Sequence, residues 1–360
     1  MNMPISMSVR PATKAVRWIG GMLCLIISLW SMSTHAAVTC SLQAGQPPVN
    51  VNVFLQGSIT VGRDVPIGTE VYRASYHGPT VSNVSCPAAS PTNPYSSTRA
   101  YLSNPFPASS YVHPSWGRVY QTNVPGIGVV IWSGNLGPLP ATGTFTSNVL
   151  IAARWFDISF IKIGNVSPGV ITAGAVPSFQ MRVGDNNLVV ETGTATGSLN
   201  IVSRTCTTPD VNVDLGTHSL TELHGIGTTT NAVSVPIALT NCPAFWGRYV
   251  NVVNNIPNPT TTSTTPNTLT ATVTPSTSIA DSTNAVMALQ SPGATGIGIQ
   301  LLQSNQTTPQ QFNQQIAIGG LNQTDGSTYR LQLYARYYQT AANTAAGQAN
   351  GVATVTLSYL

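Results

Sequence analysis

Aromatic, basic and amide side chains are concentrated between residues 95 and 120 of this 360-residue chain. Aromatic rings beside amides and hydroxyls suit sugars, which present apolar C–H faces and a rim of hydroxyl groups. The same side chains suit a protein surface, because Tyr, Trp and Arg dominate interface hot spots. In a third interpretation, half of them face a domain core. We predict that this cluster contains ligand contacts, and the candidates are Tyr95, Arg99, Tyr101, Tyr111, His113 and Trp116.

Catalytic motifs are not found in this sequence. It contains neither Gly-x-Ser-x-Gly nor His-Glu-x-x-His, and no Gly-rich phosphate loop ending in Lys. Two carboxylates of the first half could form a glycosidase pair, but their spacing gives no support for it. Isolated histidines such as His77 fit exposed loops. We therefore predict that the protein is not an enzyme. The carboxylates considered are Asp64, Glu70, Asp157, Asp185 and Glu191.

Composition excludes one class of partner. Charged residues are 7% of the chain, against about 25% in an average soluble protein. Hydrophobic residues, at 42%, still allow sizeable cores and argue against intrinsic disorder. Lys162 is the only lysine after residue 20, and the net charge beyond that point is close to zero. Since a nucleic-acid binder needs a dense field of Lys and Arg, we expect no nucleic acid as a partner.

Residues 1–36 have the pattern of a secretory signal peptide. Arg10, Lys14 and Arg17 precede an apolar run over residues 18–30, and small residues suited to cleavage follow at Ala36 and Ala37. The run is shorter than the roughly 20 residues that a membrane-spanning helix needs. No later segment is apolar enough to span a bilayer, so we expect an exported protein.

Four cysteines follow the signal, and an even number in an exported chain indicates disulfides. Four cysteines permit three pairings. The long interval between Cys86 and Cys206 favours Cys40–Cys86 and Cys206–Cys242, one bridge in each domain. The chain has no C-x-x-C motif and no Cys/His cluster with zinc spacing. We therefore expect neither a metal nor a cofactor.

Short runs of alternating polar and apolar residues dominate the body of the chain, as at residues 49–54, 232–239 and 329–338. Such runs, separated here by 31 Gly and 26 Pro, predict strands. The predicted fold class is all-β, with two β-sandwich domains at residues 37–205 and 206–360. The stretch 251–284, rich in Thr, Asn, Ser and Pro, is expected to form weak strands and a long loop inside the second domain.

The last nine residues alternate without a break, with Ala353, Val355, Leu357 and Tyr359 on one face. An immunoglobulin-like sandwich needs about seven strands, and about six are credible after Cys206. We expect the second domain to lack its last strand, which leaves an open groove that another chain must fill. An ordinary terminal strand in a complete sheet is the alternative.

The second domain contains a specific combination of segments: Cys206 with residues 214–216, segments 235–242, 296–302 and 333–338, Gly347 and the penultimate Tyr359. In this combination it resembles the pilin domain of chaperone–usher fimbrial subunits. This resemblance implies an incomplete immunoglobulin-like fold. The missing strand would come first from a periplasmic chaperone and then from the N-terminal extension of an adjacent fimbrial subunit. The motif that these partners recognise would comprise Gly347, Ala353, Val355, Leu357 and Tyr359.

The first domain resembles the receptor-binding domain of two-domain tip adhesins, through residues 61–72, 120–128 and 160–164. A whole domain takes the place of the donor extension, which implies a subunit at the end of a fibre. The implied route runs through the periplasm and an outer-membrane usher to the fimbrium tip at the bacterial surface. The implied function is attachment to a host glycan or extracellular-matrix protein. The alternative is a structural minor or tip subunit that binds no receptor.

Overall fold

The computed structural model describes residues 36–360 apart from 79–80, 135–136, 153–154 and 255–260. The predicted signal peptide lies outside the described residues, except for Ala36. The described chain is all-β, as predicted: it contains strands, two short 3-10 turns at Ala173–Ala175 and Leu220–Glu222, and no α-helix. None of the described residues form a helix long and apolar enough to cross a membrane.

The strands follow the predicted alternation, and we describe them within the two predicted domains, here called the first and second units. The strands of the first unit are β1 (Ser41–Leu42), β2 (Val49–Leu55), β3 (Ser58–Thr60), β4 (Glu70–His77), β5 (Val81–Ser85), β6 (Tyr95–Ser103), β7 (Ala108–His113), β8 (Gly117–Gln121), β9 (Ile127–Ser133), β10 (Gly137–Pro138), β11 (Ala141–Phe145), β12 (Val149–Ala152), β13 (Trp155–Lys162), β14 (Gly169–Thr172), β15 (Ser178–Val183) and β16 (Leu188–Val202). The strands of the second unit are β17 (Val233–Cys242), β18 (Arg248–Asn254), β19 (Thr261–Thr265), β20 (Leu269–Pro275), β21 (Ile279–Asp281), β22 (Val286–Ala288), β23 (Ile297–Leu302), β24 (Gln315–Ala317), β25 (Ser327–Gln339) and β26 (Ala353–Tyr359).

The first unit is a sandwich of two sheets, which we call the front sheet and the back sheet. The front sheet runs β7-β8-β9-β13-β4, with β10 paired to β9. The back sheet runs β11-β6-β15-β16-β14, with β2 and β3 also paired to β16. Alternation along β13 buries Phe156, Ile158 and Phe160 completely in the core between the sheets. The residues between them, Asp157 and Ser159, therefore point to the outer face.

Both predicted disulfides are present, Cys40–Cys86 and Cys206–Cys242. Cys40 and Cys86 belong to a small second core of the first unit, beside the three-stranded sheet β1-β5-β12. The other bridge lies in the core of the second unit. With sequence separations of 46 and 36 residues, each bridge stabilises the fold by about 4 kcal/mol in the chain-entropy model.

The second unit is also built from two sheets, β17-β25-β23-β22-β21 and β24-β20-β26. Its core contains Leu239, Leu269, Ala271 and Leu333, which the alternating pattern of β17, β20 and β25 turns inward. β26 pairs with β20 along its whole length, from Ala353 to Tyr359. No other described strand pairs with β26, so β26 is an edge of its sheet.

Strands β18 and β19 extend the front sheet of the first unit. β18 pairs in parallel with β4, from Tyr249 opposite Tyr72 to Asn254 opposite His77, and β19 pairs with β18. We expected residues 251–284 to stay inside the second domain, and for these two strands the structure differs. The physical reason is that β4 would otherwise be a sheet edge, and pairing satisfies its exposed N–H and C=O groups.

Candidate functional site

Three of the four tryptophans that follow the predicted signal peptide lie on the outer face of the front sheet. Trp132 lies opposite Asp157 across β9 and β13, and Trp155 lies opposite His77 across β13 and β4. Because alternate residues of a strand share a face, these side chains and Arg73 point away from the core. We name this surface the tryptophan face, and it comprises Arg73, His77, His113, Trp116, Trp132, Trp155 and Asp157.

The rings on this face contact one another. His113 stacks on Trp116 with ring centroids 4.3 Å apart, and Trp116 meets the edge of Trp132 at 6.3 Å. At the other side of the face, His77 meets Trp155 at 4.4 Å. The His113 ring is held in place because its Nδ1 accepts hydrogen bonds from the backbone amides of Ser115 and Trp116, at 3.1 and 3.2 Å. Trp155 is 46% exposed, so at least one of the rings is open to a ligand.

A fixed guanidinium lies beside the rings. Arg73 donates two hydrogen bonds to the Glu70 carboxylate, at 2.8 and 2.7 Å, and its guanidinium carbon lies 5.9 Å from the centroid of the Trp116 ring. Its Nη1 is 3.9 Å from Oδ2 of Asp157. Burial acts to lower the pKa of Arg73, but the hydrogen bond and charge of Glu70, with the charge of Asp157, outweigh it and raise that pKa. Arg73 is thus a permanently charged donor of fixed orientation.

The structure divides the six residues predicted as ligand contacts into two groups. Tyr111, His113 and Trp116 lie together at the front sheet, where Tyr111 and Trp116 pack on a small outer cluster. The other three lie on β6 of the back sheet and contribute to the interior. Tyr95 and Arg99 are 2% and 6% exposed, and Tyr101 packs edge to face with Tyr120. Burial raises the pKa of both tyrosines, Tyr95 and Tyr101.

Sequence reasoning missed Trp132, Trp155 and Arg73. The signal was present in strand alternation: residues 127–133 and 155–162 each turn an apolar set inward, which leaves Trp132 and Trp155 on the outer face. A search for aromatic clusters along the chain could not find them, because β9, β13 and β4 become neighbours only in the folded sheet.

The remaining carboxylates have structural contacts. Asp185 accepts a hydrogen bond from the backbone amide of Val38 at 2.6 Å, Glu70 holds Arg73, and Asp64 contacts the second unit. Glu191 is buried in the first unit. Among the described residues, no three His, Cys, Asp or Glu side chains converge as a metal site requires.

The predicted groove residues lie along β26. Val355 and Leu357 are half-buried and pack on the core of the second unit, while Ala353 is exposed. Tyr359 is buried, and its hydroxyl accepts a hydrogen bond from the Cys206 backbone amide at 2.9 Å. The apolar face predicted from alternation is therefore present, and its middle residues are only partly covered.

The segment after Cys206 packs on the same core without joining a sheet. Val211 and Leu215 are half-buried against it. Within the described chain, the only ladder contact of residues 207–218 is the bridge between Thr207 and Thr240. This segment and β26 thus both contact the core, and none of the backbone hydrogen bonds of the described residues joins them to each other.

Gly347 precedes β26 and has a packing role. A Cβ atom at this position would lie 2.7 Å from the backbone nitrogen of Ala294 and 2.8 Å from the carbonyl carbon of Gly293. Next to this contact, the two backbone segments are joined by a hydrogen bond from the Ala294 amide to the Gln348 carbonyl, at 2.8 Å. Only glycine permits this approach of two backbones.

The end of β26 is bonded to the first unit. The amide of Tyr359 donates to Oδ2 of Asp64 at 2.9 Å, and the amide of Asp64 donates to the Tyr359 carbonyl at 3.1 Å. Lys162, the last residue of β13, is buried and donates to the carbonyls of Gly62 and Arg63 at 3.1 and 2.6 Å. Burial lowers the pKa of Lys162, and the charge of Asp64 opposes this shift. β13 thus begins at the tryptophan face and ends beside the loop that holds β26.

Comparison with known proteins relates the chain to bacterial adhesins. Residues 195–360 match the model of the family described as fimbrial protein. The chain is 24% identical over 349 residues, 94% of its own length and 99% of the relative's, to a fimbria adhesin protein of Klebsiella pneumoniae. The resemblance inferred from the sequence is confirmed, and the chain groups with adhesive rather than enzymatic proteins.

Two solved structures are similar at low identity. The receptor binding domain of the plasmid-borne adhesin MrkD1P of Klebsiella pneumoniae is 19% identical, with a TM-score of 0.36; the match covers 47% of this chain and 98% of that one. The CupB6 tip adhesin of Pseudomonas aeruginosa is 15% identical, with a TM-score of 0.35; the match covers 90% of this chain and 94% of that one.

Proposed function

We propose that this chain belongs to the fimbrial protein family and is an adhesin whose first unit binds a receptor and whose second unit attaches it to the tip of a fimbrium. The observation that carries the first half is the tryptophan face. It gathers one exposed and several half-buried aromatic rings and a fixed Arg–Glu pair on one sheet face, and aromatic residues with Arg dominate the energetics of binding surfaces.

The position of this face supports the same assignment. His77 and Trp155 lie at the ends of β4 and β13 that are remote from Lys162, which contacts the loop bonded to the second unit. The seven steps along β13 from Trp155 to Lys162 correspond to about 23 Å at strand rise. The face is therefore remote from the bonds between Asp64 and Tyr359, although β18 of the second unit runs beside β4 as far as His77. A receptor surface would be placed in this way if the end of β26 faces the fibre.

The second unit supports attachment by donor-strand complementation. β26 has a free edge in the described chain, and Val355 and Leu357 are only half-buried. A strand placed beside β26 would gain backbone hydrogen bonds and cover these side chains. We propose that a periplasmic chaperone supplies such a strand first, that an adjacent fimbrial subunit replaces it, and that an outer-membrane usher exports the product to the cell surface.

The receptor half is tested with bacteria that display the full chain. Trp155→Ala is the test variant and Phe54→Ala is its control, because Phe54 is 42% exposed on the outer face of the back sheet. We expect Trp155→Ala to reduce adhesion to host cells roughly tenfold at unchanged fimbria number, as for truncation of a binding hot spot. Phe54→Ala should adhere like the parent.

The structural alternative makes a different prediction. If the first unit served only assembly, both variants would adhere equally, and removal of the first unit would lower the number of fimbriae. Counting fimbriae by electron microscopy beside the adhesion assay separates the two functions.

A further inference from the structure

We infer that the tryptophan face binds an extended, uncharged oligosaccharide laid across the strands of the front sheet. This inference rests on the proposed adhesin function and names the ligand of its receptor surface. It starts from the arrangement of the rings, which form a row. In order across the sheet they are His113, Trp116, Trp132, Trp155 and His77.

The row runs across the strands of the sheet, with a step of two residues along β13 between Trp132 and Trp155. Its members come from the β7–β8 turn, β9, β13 and the end of β4, which are consecutive neighbours in the front sheet. Neighbouring strands lie about 4.8 Å apart, so four strands extend over roughly 15 Å. Trp132 pairs with Asp157, and Trp155 lies two residues from Asp157 on the same strand. Trp132 and Trp155 are therefore diagonal neighbours, with their backbones roughly 7–8 Å apart. A pocket for one sugar would gather its rings around a point, whereas this row repeats them along a line. Such spacing matches successive pyranose units of a linear chain.

A carboxylate beside the row makes no hydrogen bond to the described residues. Asp157 is 7% exposed. Within the described part of the chain, its Oδ1 has no hydrogen-bond partner, and Oδ2 is 3.9 Å from Arg73, which is beyond hydrogen-bond distance. A buried carboxylate in this state is expected to gain from a donor. Hydroxyl groups of a sugar are donors of the right size, and the Arg73 guanidinium can donate to a neighbouring sugar oxygen.

Charge distinguishes among sugars. Glu70 and Asp157 carry two negative charges, and Arg73 is the only cation of the described chain within ion-pair distance of either carboxylate. A carboxylate or sulfate group on the ligand would be brought beside Asp157 in a partly dry setting, where like charges repel strongly. Neutral sugars avoid this cost, and we therefore assign an uncharged chain.

The test uses the full chain, purified from the periplasm, on an array of linear neutral oligosaccharides of one to six units. Each is paired with its sulfated form, and fibronectin and laminin are added as protein ligands. We expect affinity to rise with length up to about four units, the number of strands crossed, and sulfated forms to bind more weakly. Trp155→Ala and Trp132→Ala should each weaken binding of the long oligosaccharides roughly tenfold, with Phe54→Ala as the matched control. Trp155→Phe, which keeps a ring, should restore most of the affinity if stacking is the cause.

Several outcomes would overturn this inference while leaving the adhesin function intact. These are equal affinity for one unit and for six, a preference for sulfated chains, or binding only to the proteins with sensitivity to Trp155→Ala. Adhesion of the displaying bacteria that depends on Trp155 without binding to any glycan would also overturn it. Bacteria that do not adhere at all would contradict the proposed function itself.

Discussion

The tryptophan face and the edge of β26 both leave apolar side chains partly exposed, but their backbones differ. The strands beneath the centre of the tryptophan face are paired on both sides: β9 lies between β8 and β13, and β13 lies between β9 and β4. β26 has one partner among the described strands. A completed sheet offers a ligand only side chains, whereas a free edge also offers N–H and C=O groups. The first region suits a ligand recognised by side chains, and the second suits another strand.

Because of this difference, substitutions in the two regions should have different effects. Substitutions of the tryptophans on the tryptophan face remove contacts to a ligand but leave the hydrogen-bonded sheet and its core in place. Substitutions along β26 alter a part of the molecule that we propose is completed by another chain. The first kind should therefore change binding at constant stability, and the second should change how much protein is assembled at all.

The largest effect is expected for Leu357→Asp. Leu357 is half-buried against the second core, and a donor strand covering it would have to desolvate the new carboxylate, which is costly without a partner. We expect the amount of this chain in purified fimbriae to fall roughly tenfold or more. Quantitative immunoblotting of the fimbriae measures it.

The control for this variant is Thr356→Asp, on the neighbouring exposed position of the same strand. It adds the same charge on the face that points away from the core. Equal losses in both variants would show that charge alone, and not the apolar face of β26, limits assembly.

Features set by the local order of residues could be predicted from the sequence, whereas features set by the order of strands in a sheet could not. The alternation over residues 353–359 predicted the apolar face of β26, and cysteine spacing favoured the observed pairing. Local alternation could not reveal that residues 132, 155 and 73 become neighbours, because this depends on strand order. Half of the predicted ligand residues fell on β6, since a dense aromatic segment contains core as well as surface positions. The pairing of β18 with β4 was equally invisible, because its partner is more than 170 residues away.

The second prediction concerns residues 37–205 expressed alone. Without β18, the backbone of β4 from Tyr72 to His77 becomes a free edge of the front sheet, which favours aggregation. We expect this fragment to aggregate more readily than the full chain and to unfold a few degrees lower, at roughly 2–4 °C per kcal/mol lost. Light scattering during a thermal melt measures both.

The matched control is the same fragment with residues 247–266 attached through a flexible Gly/Ser linker, which restores the partner of β4. If the hairpin makes no difference, its pairing with β4 contributes little, and the first unit would be complete without the second. Recovery of monodisperse protein would instead show that the two units share one sheet.

Arg73 gives a smaller and purely local test. Arg73→Ala removes the donor held by Glu70 at the tryptophan face and leaves the buried Asp157 carboxylate without its nearby positive charge, so stability should be lost as well as binding. We expect receptor binding to fall roughly tenfold and the melting temperature to fall by a few degrees. Arg73→Lys keeps the charge and should restore the melting temperature but not receptor binding, because a lysine lacks the planar fork that fixes the guanidinium. Full receptor binding by the lysine variant would mean that charge alone suffices at this position.

The smallest effect is a pH dependence at His218, at the end of the segment that follows Cys206. His218 contacts Glu222 through Nδ1 at 2.8 Å and the Leu215 carbonyl through Nε2 at 2.9 Å, and both contacts are donated together only by the protonated ring. The hydrogen bond to Glu222, followed by that to the Leu215 carbonyl, raises the pKa of His218 above 6.5. Since the folded-state pKa is the higher one, the stabilisation is fully present below pH 6.5. It is lost as the pH rises through the raised value.

Melting temperatures of the full chain and of His218→Gln, measured at pH 5.5 and pH 9, test this contact. Because the pair is exposed, we expect the parent to exceed the variant by on the order of one degree at pH 5.5 and by less at pH 9. His224→Gln, an exposed histidine nearby, should show no such change. A difference that grows with pH would reverse the sign and show that the neutral ring is the stabilising form. A difference that is the same at both pH values would mean that His218 acts through packing against Tyr337, 5.8 Å away, and not through its charge.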